Sequence, residues 1–180
     1  MDEASLIDRC RLEDSRAQRQ LYDIYSEQML PVCIRYLRHL PAAEDAMITG
    51  FYKFFRNLKS FEYRGAGSVR ALIKKIMINE CLMLLRSNIR TVTVAEQFGE
   101  VEESGIDPLA GLQAKDILQC ISALPDGYRT VFNLYAVEGY THREIAAALG
   151  ISEGTSKSQL SKAKNLLRHT LKTTGCHAGG

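Results

Sequence analysis

At 180 residues, with 46% apolar and 24% charged residues, the chain has the composition of a soluble globular protein, with room for one medium domain or two small ones. A net charge of +2 excludes a strongly polycationic or polyanionic protein, and no apolar run approaches the ~20 residues that span a bilayer, so no membrane insertion is expected. The five cysteines (10, 33, 81, 120, 176) are odd in number and unpaired in spacing, and the four histidines (39, 142, 169, 177) form no ligand pattern, which argues against a disulfide framework, a metal or a cofactor.

The start, MDEASLIDRC, is acidic and lacks signal-peptide architecture, so a cytoplasmic location is expected. Residues 2–13 predict a short amphipathic helix through Leu6, Ile7 and Leu12. Asp14 and Ser15 offer a cap for a longer helix, in which Leu21, Tyr22, Ile24, Tyr25, Met29, Val32, Cys33, Tyr36 and Leu37 recur at helical spacing. Pro31 inside that pattern predicts a kink. Pro41 suits the first turn of a third helix, with Glu44 and Asp45 near its positive end and Met47, Ile48, Phe51, Phe54, Phe55 and Leu58 along it. The aromatics Phe51, Tyr52, Phe54 and Phe55 span more than one helix face, so at least one is exposed or meets a partner. Gly50 weakens the helix by ~1 kcal/mol relative to alanine, and nothing in the sequence compensates for it.

The segment NLKSFEYRGAG, residues 57–67, breaks the periodicity and carries Lys59, Phe61, Tyr63 and Arg64. Ser68 is the expected cap of the next helix, whose apolar positions are Val69, Leu72, Ile73, Ile76, Met77, Leu84 and Leu85. Arg70, Lys74, Lys75 and Asn79 lie away from them. Aromatics interleaved with cations are how proteins stack unpaired bases while tracking the phosphates.

Charge then divides the chain. Residues 1–90 carry 15 Lys and Arg against 11 Asp and Glu, residues 91–111 none against 5, and residues 112–180 carry 8 against 5. Two basic blocks flanking an acidic connector suit two modules that bind a polyanion and a joining segment that avoids it. The connector, TVTVAEQFGEVEESGIDPLAG, is also rich in residues that stop helices.

Asp107 and Pro108 predict a cap and first turn for a helix through Leu112, Ile117, Leu118 and Ile121 to Leu124. Pro125 to Gly127 turn the chain, and residues 128–137 predict a helix with Val131, Phe132, Leu134 and Tyr135 facing inward. Thr141 and Glu144 then form a capping box ahead of Ile145, Ala146, Ala148 and Leu149. Gly150 suits a left-handed helix end, and Ser152 caps a further helix. That helix has Leu160, Ala163, Leu167 and Leu171 on one side and Lys157, Ser158, Ser161, Lys162, Asn165 and Arg168 on the other. The pattern is a helix-turn-helix whose second helix is basic and rich in hydroxyls, suited to a major groove. Lys157, Lys162, Lys164 and Arg168 are candidates for phosphates, and Thr155, Ser158, Gln159 and Lys162 for base edges. The end, TTGCHAGG, reads as a frayed tail over residues 173–180.

The stretch LPDGYRTVFNLYAVEGYTHREIAAALGISEGTSKSQLSKAKNLL resembles the fourth conserved region of bacterial RNA polymerase sigma factors. Residues 43–45 (AED), the aromatics up to Phe55, and GSVRALIKKIMINECLMLLR from Gly67 are similar to motifs of the second region. Two modules and one linker resemble the extracytoplasmic function group, over residues 16–90 and 108–172. The resemblance implies an all-α protein of two small helical domains, 1–90 and 112–172, joined by the acidic linker 91–111.

It also implies core RNA polymerase, promoter DNA and an anti-sigma factor as partners, and no enzymatic activity. Thr141, Arg143, Ser152, Thr155, Lys157, Ser158, Gln159, Ser161, Lys162 and Arg168 would meet the minus-thirty-five element. Phe61, Tyr63, Arg64, Arg70, Lys74, Lys75 and Asn79 would recognise the minus-ten element and a base flipped from its non-template strand. Glu44, Asp45, Phe51, Tyr52 and Phe55 would dock on the clamp of the polymerase largest subunit, and the polymerase flap is the second expected contact. The linker would pass through channels that otherwise hold template and nascent RNA. The chain departs from the family at Thr49 and Gly50, where Gln-Glu is frequent, and at Leu72 and Met83, where Trp and Asp are common. Ser156 and Gln159 stand where Val and Arg are frequent.

Two other readings of the residues remain. One is a helix-turn-helix regulator that acts without the polymerase. The other is a site-specific recombinase, which needs an α/β catalytic domain; residues 1–90 show no strand alternation to build one.

Overall fold

The structure, a computed structural model, describes residues 2–65, 67–95 and 114–175. Its helices are α1 (Glu3–Arg11), α2 (Ser15–Leu37), α3 (Leu40–Asn57), α4 (Ser68–Ala95), α5 (Ala114–Ala123), α6 (Asp126–Phe132), α7 (His142–Leu149) and α8 (Glu153–Gly175). No strand occurs among the described residues, and the fold is all-α. The chain divides into two compact units, Met1–Leu84 and Leu85–Gly180.

In the first unit, Asp2 caps α1 by accepting the Ser5 amide at 2.9 Å, and Leu6, Ile7 and Cys10 are buried. Leu12 departs from the expected apolar face and is 82% exposed, because the helix has ended and Glu13 turns the chain at φ 61°. Asp14 caps α2 by accepting the amides of Arg16 and Ala17, and its other oxygen takes the Arg9 guanidinium at 2.6 Å. One carboxylate therefore fixes both the start of α2 and the return of α1. α2 runs unbroken through Pro31, which faces solvent. It closes on Arg38, whose left-handed backbone lets its amide reach the Ile34 carbonyl at 2.8 Å.

α3 begins with Pro41 in its first turn and buries Ala43, Ala46, Met47, Phe51 and Phe54. Ile48 is exposed, as is Tyr52 at 60%, so this face of α3 leaves two large apolar side chains open. Gly50 marks the place where α3 and α4 touch: a Cβ there would lie 2.5 Å from Met77 Sδ. Close approach is thus what the glycine allows, and it offsets the lost helix propensity. α4 buries Val69, Ile73, Met77, Ile78, Cys81, Leu82 and Leu85, whereas Leu84, expected inside, is exposed. Glu80 is buried beside Lys53, 2.7 Å away on α3. α4 extends to Ala95, so the first five residues of the expected connector are helical; 96–113 lie outside the described residues, including Asp107, Pro108 and Leu112.

In the second unit α5, α6 and α7 all pack on α8. Ile121 and Leu124 anchor α5, but Leu118, expected inward, is 57% exposed. Asp126 and Gly127 are the first residues of α6 rather than a turn before it. Past Phe132 the helix widens into a π-turn over Asn133–Val137, in which the Glu138 amide reaches back to the Asn133 carbonyl at 3.0 Å. The wider turn shifts the helical phase, and Tyr135, expected inside, is exposed. Arg129 is fully buried, with Nη1 donating to the Leu124 carbonyl at 2.7 Å and Nη2 paired with Asp126 at 2.6 Å. α8 continues to Gly175, past the expected boundary at 172, while Cys176 and His177 lie outside the described residues. No described helix is long and apolar enough to cross a membrane, and no described group of three or more His, Cys, Asp or Glu is placed to hold a metal.

Candidate nucleic-acid interface

The geometry of α7 and α8 follows from local chemistry at three points. At the entry, Thr141 Oγ1 accepts the Glu144 amide at 3.3 Å, and Glu144 Oε2 accepts both the Thr141 amide and its hydroxyl at 2.8 Å. These bonds hold the Glu144 carboxyl below the usual carboxylate range. At the corner, Gly150 adopts φ 69°, and the amides of Gly150 and Ile151 both reach the Ala146 carbonyl, at 2.9 and 3.1 Å. At the start of α8, Ser152 Oγ accepts the Thr155 amide at 3.0 Å and shares a 2.8 Å bond with the Thr155 hydroxyl. Both helices are thus capped on either side of a glycine corner.

The inner side of α8 holds Leu160, Ala163 and Leu167, together with two polar residues, Ser156 and Gln159. Ser156 Oγ bonds His142 Nδ1 at 2.9 Å, and the His142 ring stacks on Tyr135 with centroids 4.8 Å apart. This contact bolts the first turn of α7 to α8. Gln159 corrects the sequence reading. It is 4% exposed, packs against Gly127, and its amide atoms find no hydrogen-bond partner among the described residues, so it does not belong to the outward set. At ~100° per residue it shares the side of Ser156 and Ala163.

On the outward side Lys157 and Ser158 are exposed and Ser161 is half-buried. Lys157, Lys164 and Arg168 fall within about 40° of one another around the axis, whereas Lys162 lies more than about 100° from that stripe. Arg168 donates to Asn165 at 3.0 Å, and Lys162 sits over the Tyr128 ring at 6.0 Å. Arg143 is exposed on α7. Thr141, Ser152 and Thr155 are engaged in the caps.

In the first unit, residues 61–67 link a 3-10 turn, Leu58–Ser60, to α4. Phe61 and Tyr63 are half-buried, and Tyr63 Oη donates to Glu3 at 3.2 Å. Burial and the Glu3 carboxylate both push that phenol's pKa up. Arg64 is exposed and paired with Glu62 at 2.7 Å. Ser68 does not turn its hydroxyl along α4 as expected. Its Oγ accepts the Arg64 amide at 3.3 Å and donates to the Gly65 carbonyl at 2.8 Å, closing the loop between Gly65 and Gly67, both at positive φ. The four polar residues of α4 do not form one face: Arg70 and Lys74 lie about 140° around the helix from Lys75 and Asn79.

On α3, Glu44, Asp45 and Tyr52 are exposed and Phe55 half-buried, so they share an open surface with Ile48. Phe51 is a second correction. At 3% exposure, with its ring 4.8 Å from Tyr22, it is core and not contact surface. Sequence reasoning missed three contributors: the α1 residues that hold the 61–67 loop, the His142–Ser156 bolt, and buried Arg129. A His and a Ser fourteen residues apart carry no local signal of contact.

Comparison with known proteins places these elements. Residues 21–91 match the family "Sigma-70 region 2" and residues 114–167 the family "Sigma-70, region 4". The ECF RNA polymerase sigma factor SigW of Bacillus subtilis (strain 168) is 26% identical over 172 residues, covering 88% of this chain and 91% of that protein. The RNA polymerase sigma-H factor of Pseudomonas aeruginosa is 26% identical over 179 residues, covering 92% of each. The solved structure of the sigma factor RpoE from Bartonella quintana, in complex with the anti-sigma factor NepR, superposes with a TM-score of 0.50 at 24% identity, covering 86% of this chain and 96% of that one, and shares the fold. With both regions matched in order and nearly full-length relatives on either side, the chain belongs to the extracytoplasmic function group of the sigma-70 family.

Proposed function

We propose that this chain binds core RNA polymerase and directs it to a set of promoters, with α8 reading the minus-thirty-five element and the 61–67 loop and α4 reading the minus-ten element. The observation that carries the reading is the capped α7–α8 pair with Lys157, Lys164 and Arg168 along one flank of α8, Lys157 exposed and the other two half-buried, in a chain that also matches the second sigma region. Lys157 and Arg168 would neutralise phosphates and set the register, while Ser158, Ser161 and Arg143 would face base edges or sugars. The open face of α3, from Glu44 and Asp45 through Ile48 and Tyr52 to Phe55, would meet the polymerase clamp. Members of the family act as regulatory subunits and not as enzymes. The RpoE relative was solved with an anti-sigma factor, and a protein of that class is the proposed inhibitor of this chain, acting in the cytoplasm.

The test is co-elution with purified core RNA polymerase on size exclusion, followed by transcription from genomic fragments and mapping of start sites. Initiation at a defined set of sites, absent with core enzyme alone, is the expected result. A free protein that binds duplex DNA but never travels with the polymerase would establish instead a regulator that acts outside the enzyme.

A further inference from the structure

α1 precedes residues 21–91, the part of the chain that matches region 2, so the match assigns it no role. Yet α1 holds the 61–67 loop by side chains from both of its ends. At its first turn, one Glu3 oxygen accepts the hydroxyl of buried Tyr25 on α2, and the other accepts the Tyr63 hydroxyl from the loop. At its last turn, Arg11 donates Nη2 to the Phe61 carbonyl and Nε to the Leu58 carbonyl at 3.5 Å. Just beyond, Glu13 pairs with Lys59 at 3.0 Å. The far end of the loop is closed separately by Ser68. Between these anchors Glu62 and Arg64 are exposed and the Phe61 side chain half-exposed.

We infer that α1 is a positioning element for base capture: Glu3 and Arg11 fix the loop backbone so that Phe61 and Arg64 meet an unpaired base in a preset geometry. Tyr63, whose hydroxyl is held by Glu3, is an anchor of that loop. A loop ordered before binding does not give up its freedom when the base arrives, so pre-organisation strengthens and sharpens capture. Burial, and after it the Glu3 carboxylate, push both phenols that grip Glu3 above the ordinary tyrosine range.

The inference rests on the proposal that this loop reads DNA, and the experiment separates the two. Holoenzyme is reconstituted from core polymerase and variants of the full chain, then used to select from a single-stranded DNA library randomised over ten positions; bound pools are sequenced. Arg64→Ala tests the loop as reader. Glu3→Ala, Arg11→Ala and Tyr63→Phe test the clasp, and Glu3→Gln, which keeps an acceptor, is the conservative control.

Each clasp variant is expected to lower the enrichment of the favoured base at the captured position at least fivefold. Glu3→Gln should retain more than half of it, and co-elution with core polymerase should not change. Full enrichment in Glu3→Ala and Arg11→Ala, with loss in Arg64→Ala, overturns the role of α1 while leaving the loop as reader. Enrichment unchanged in all variants, Arg64→Ala included, removes the loop from base reading and the inference with it. Tyr63→Phe lacks one oxygen atom, so it keeps the test decisive if the α1 variants melt early.

Discussion

At the scale of single residues, the most informative positions are those where the side chain contradicts its own polarity. Gln159 looks like a base reader because it is polar and sits on the recognition helix, yet its amide is buried beside Gly127 with no partner. An unbonded buried amide destabilises the fold, so Gln159→Met, which keeps the shape and removes the dipole, should raise stability by about 1 kcal/mol, seen as a melting temperature higher by a few degrees. Affinity for duplex DNA should stay within twofold; weaker binding at an unchanged melting temperature would return Gln159 to the DNA-facing set. The helical spacing from Ala163 already pointed Gln159 inward, but residue type outweighed spacing in the sequence reading. Gly50 shows the reverse case, a residue whose reason is invisible until the partner is known. Its missing Cβ makes room for Met77, two helices being brought together across twenty-seven positions of sequence. Gly50→Ala gains ~1 kcal/mol of helix propensity, but overpacking opposes it with ~1–3 kcal/mol, for a net loss. In a Met77→Ala background the sign should reverse, because the methyl then enters a cavity; urea titrations of the double-mutant cycle measure that coupling.

At the scale of elements, what is local in sequence was legible and what depends on a distant partner was not. The capping box at Thr141, the Gly150 corner and the Asp14 cap all lie within five residues of the groups they serve, and each is present. The π-turn at Asn133–Val137 was not legible, because NLYAV continues the apolar period and carries no glycine or proline to mark an extra residue. Its consequence is the outward rotation of Tyr135 onto His142. The Asp14 cap has a pH signature. The Arg9 guanidinium, then the Ala17 and Arg16 amides, hold its carboxyl below the usual range. Its contribution is therefore present above the ordinary carboxylate pKa of about 4 and fades as pH falls through the depressed value. Asp14→Asn keeps an acceptor for the amides but not the ion pair. The gap in melting temperature between wild type and variant should be open at pH 7 and close on acidification; a gap that persists undiminished at the lowest pH would place the loss elsewhere. On α8, the stripe formed by Lys157, Lys164 and Arg168 predicts that Lys157→Ala reduces the salt slope of duplex DNA binding by about one. Lys162, set apart over Tyr128, should change the slope less. Equal effects in an anisotropy titration would argue against the stripe.

At the scale of the whole molecule, the division into two basic modules was visible in charge counts alone, and so was the unusual stretch between them. The end of α4 was not, because the helix keeps its hydrogen bonding to Ala95 through TVTVA, five residues that the charge count placed in the connector. Nor could composition reveal that the 61–67 loop is tied by Tyr63 to an N-terminal helix sixty positions away. The connector's charge makes a separate prediction that needs no contact geometry. Its five acids, Glu96, Glu100, Glu102, Glu103 and Asp107, oppose the attraction of both modules for phosphates at distances where salt has not yet screened them. Replacing all five by the corresponding amides takes the net charge from +2 to +7 without altering either module's surface. The free protein should then bind random-sequence duplex DNA at least ~10-fold more tightly near 50 mM salt, with the two proteins converging as the Debye length contracts to a few ångströms near 1 M. Holoenzyme should lose promoter selectivity in parallel, since nonspecific sites gain while specific contacts do not change. Identical binding by wild type and the amide variant at low salt would mean that the connector's acids do nothing to keep the free protein off DNA, and that their charge serves only within the polymerase.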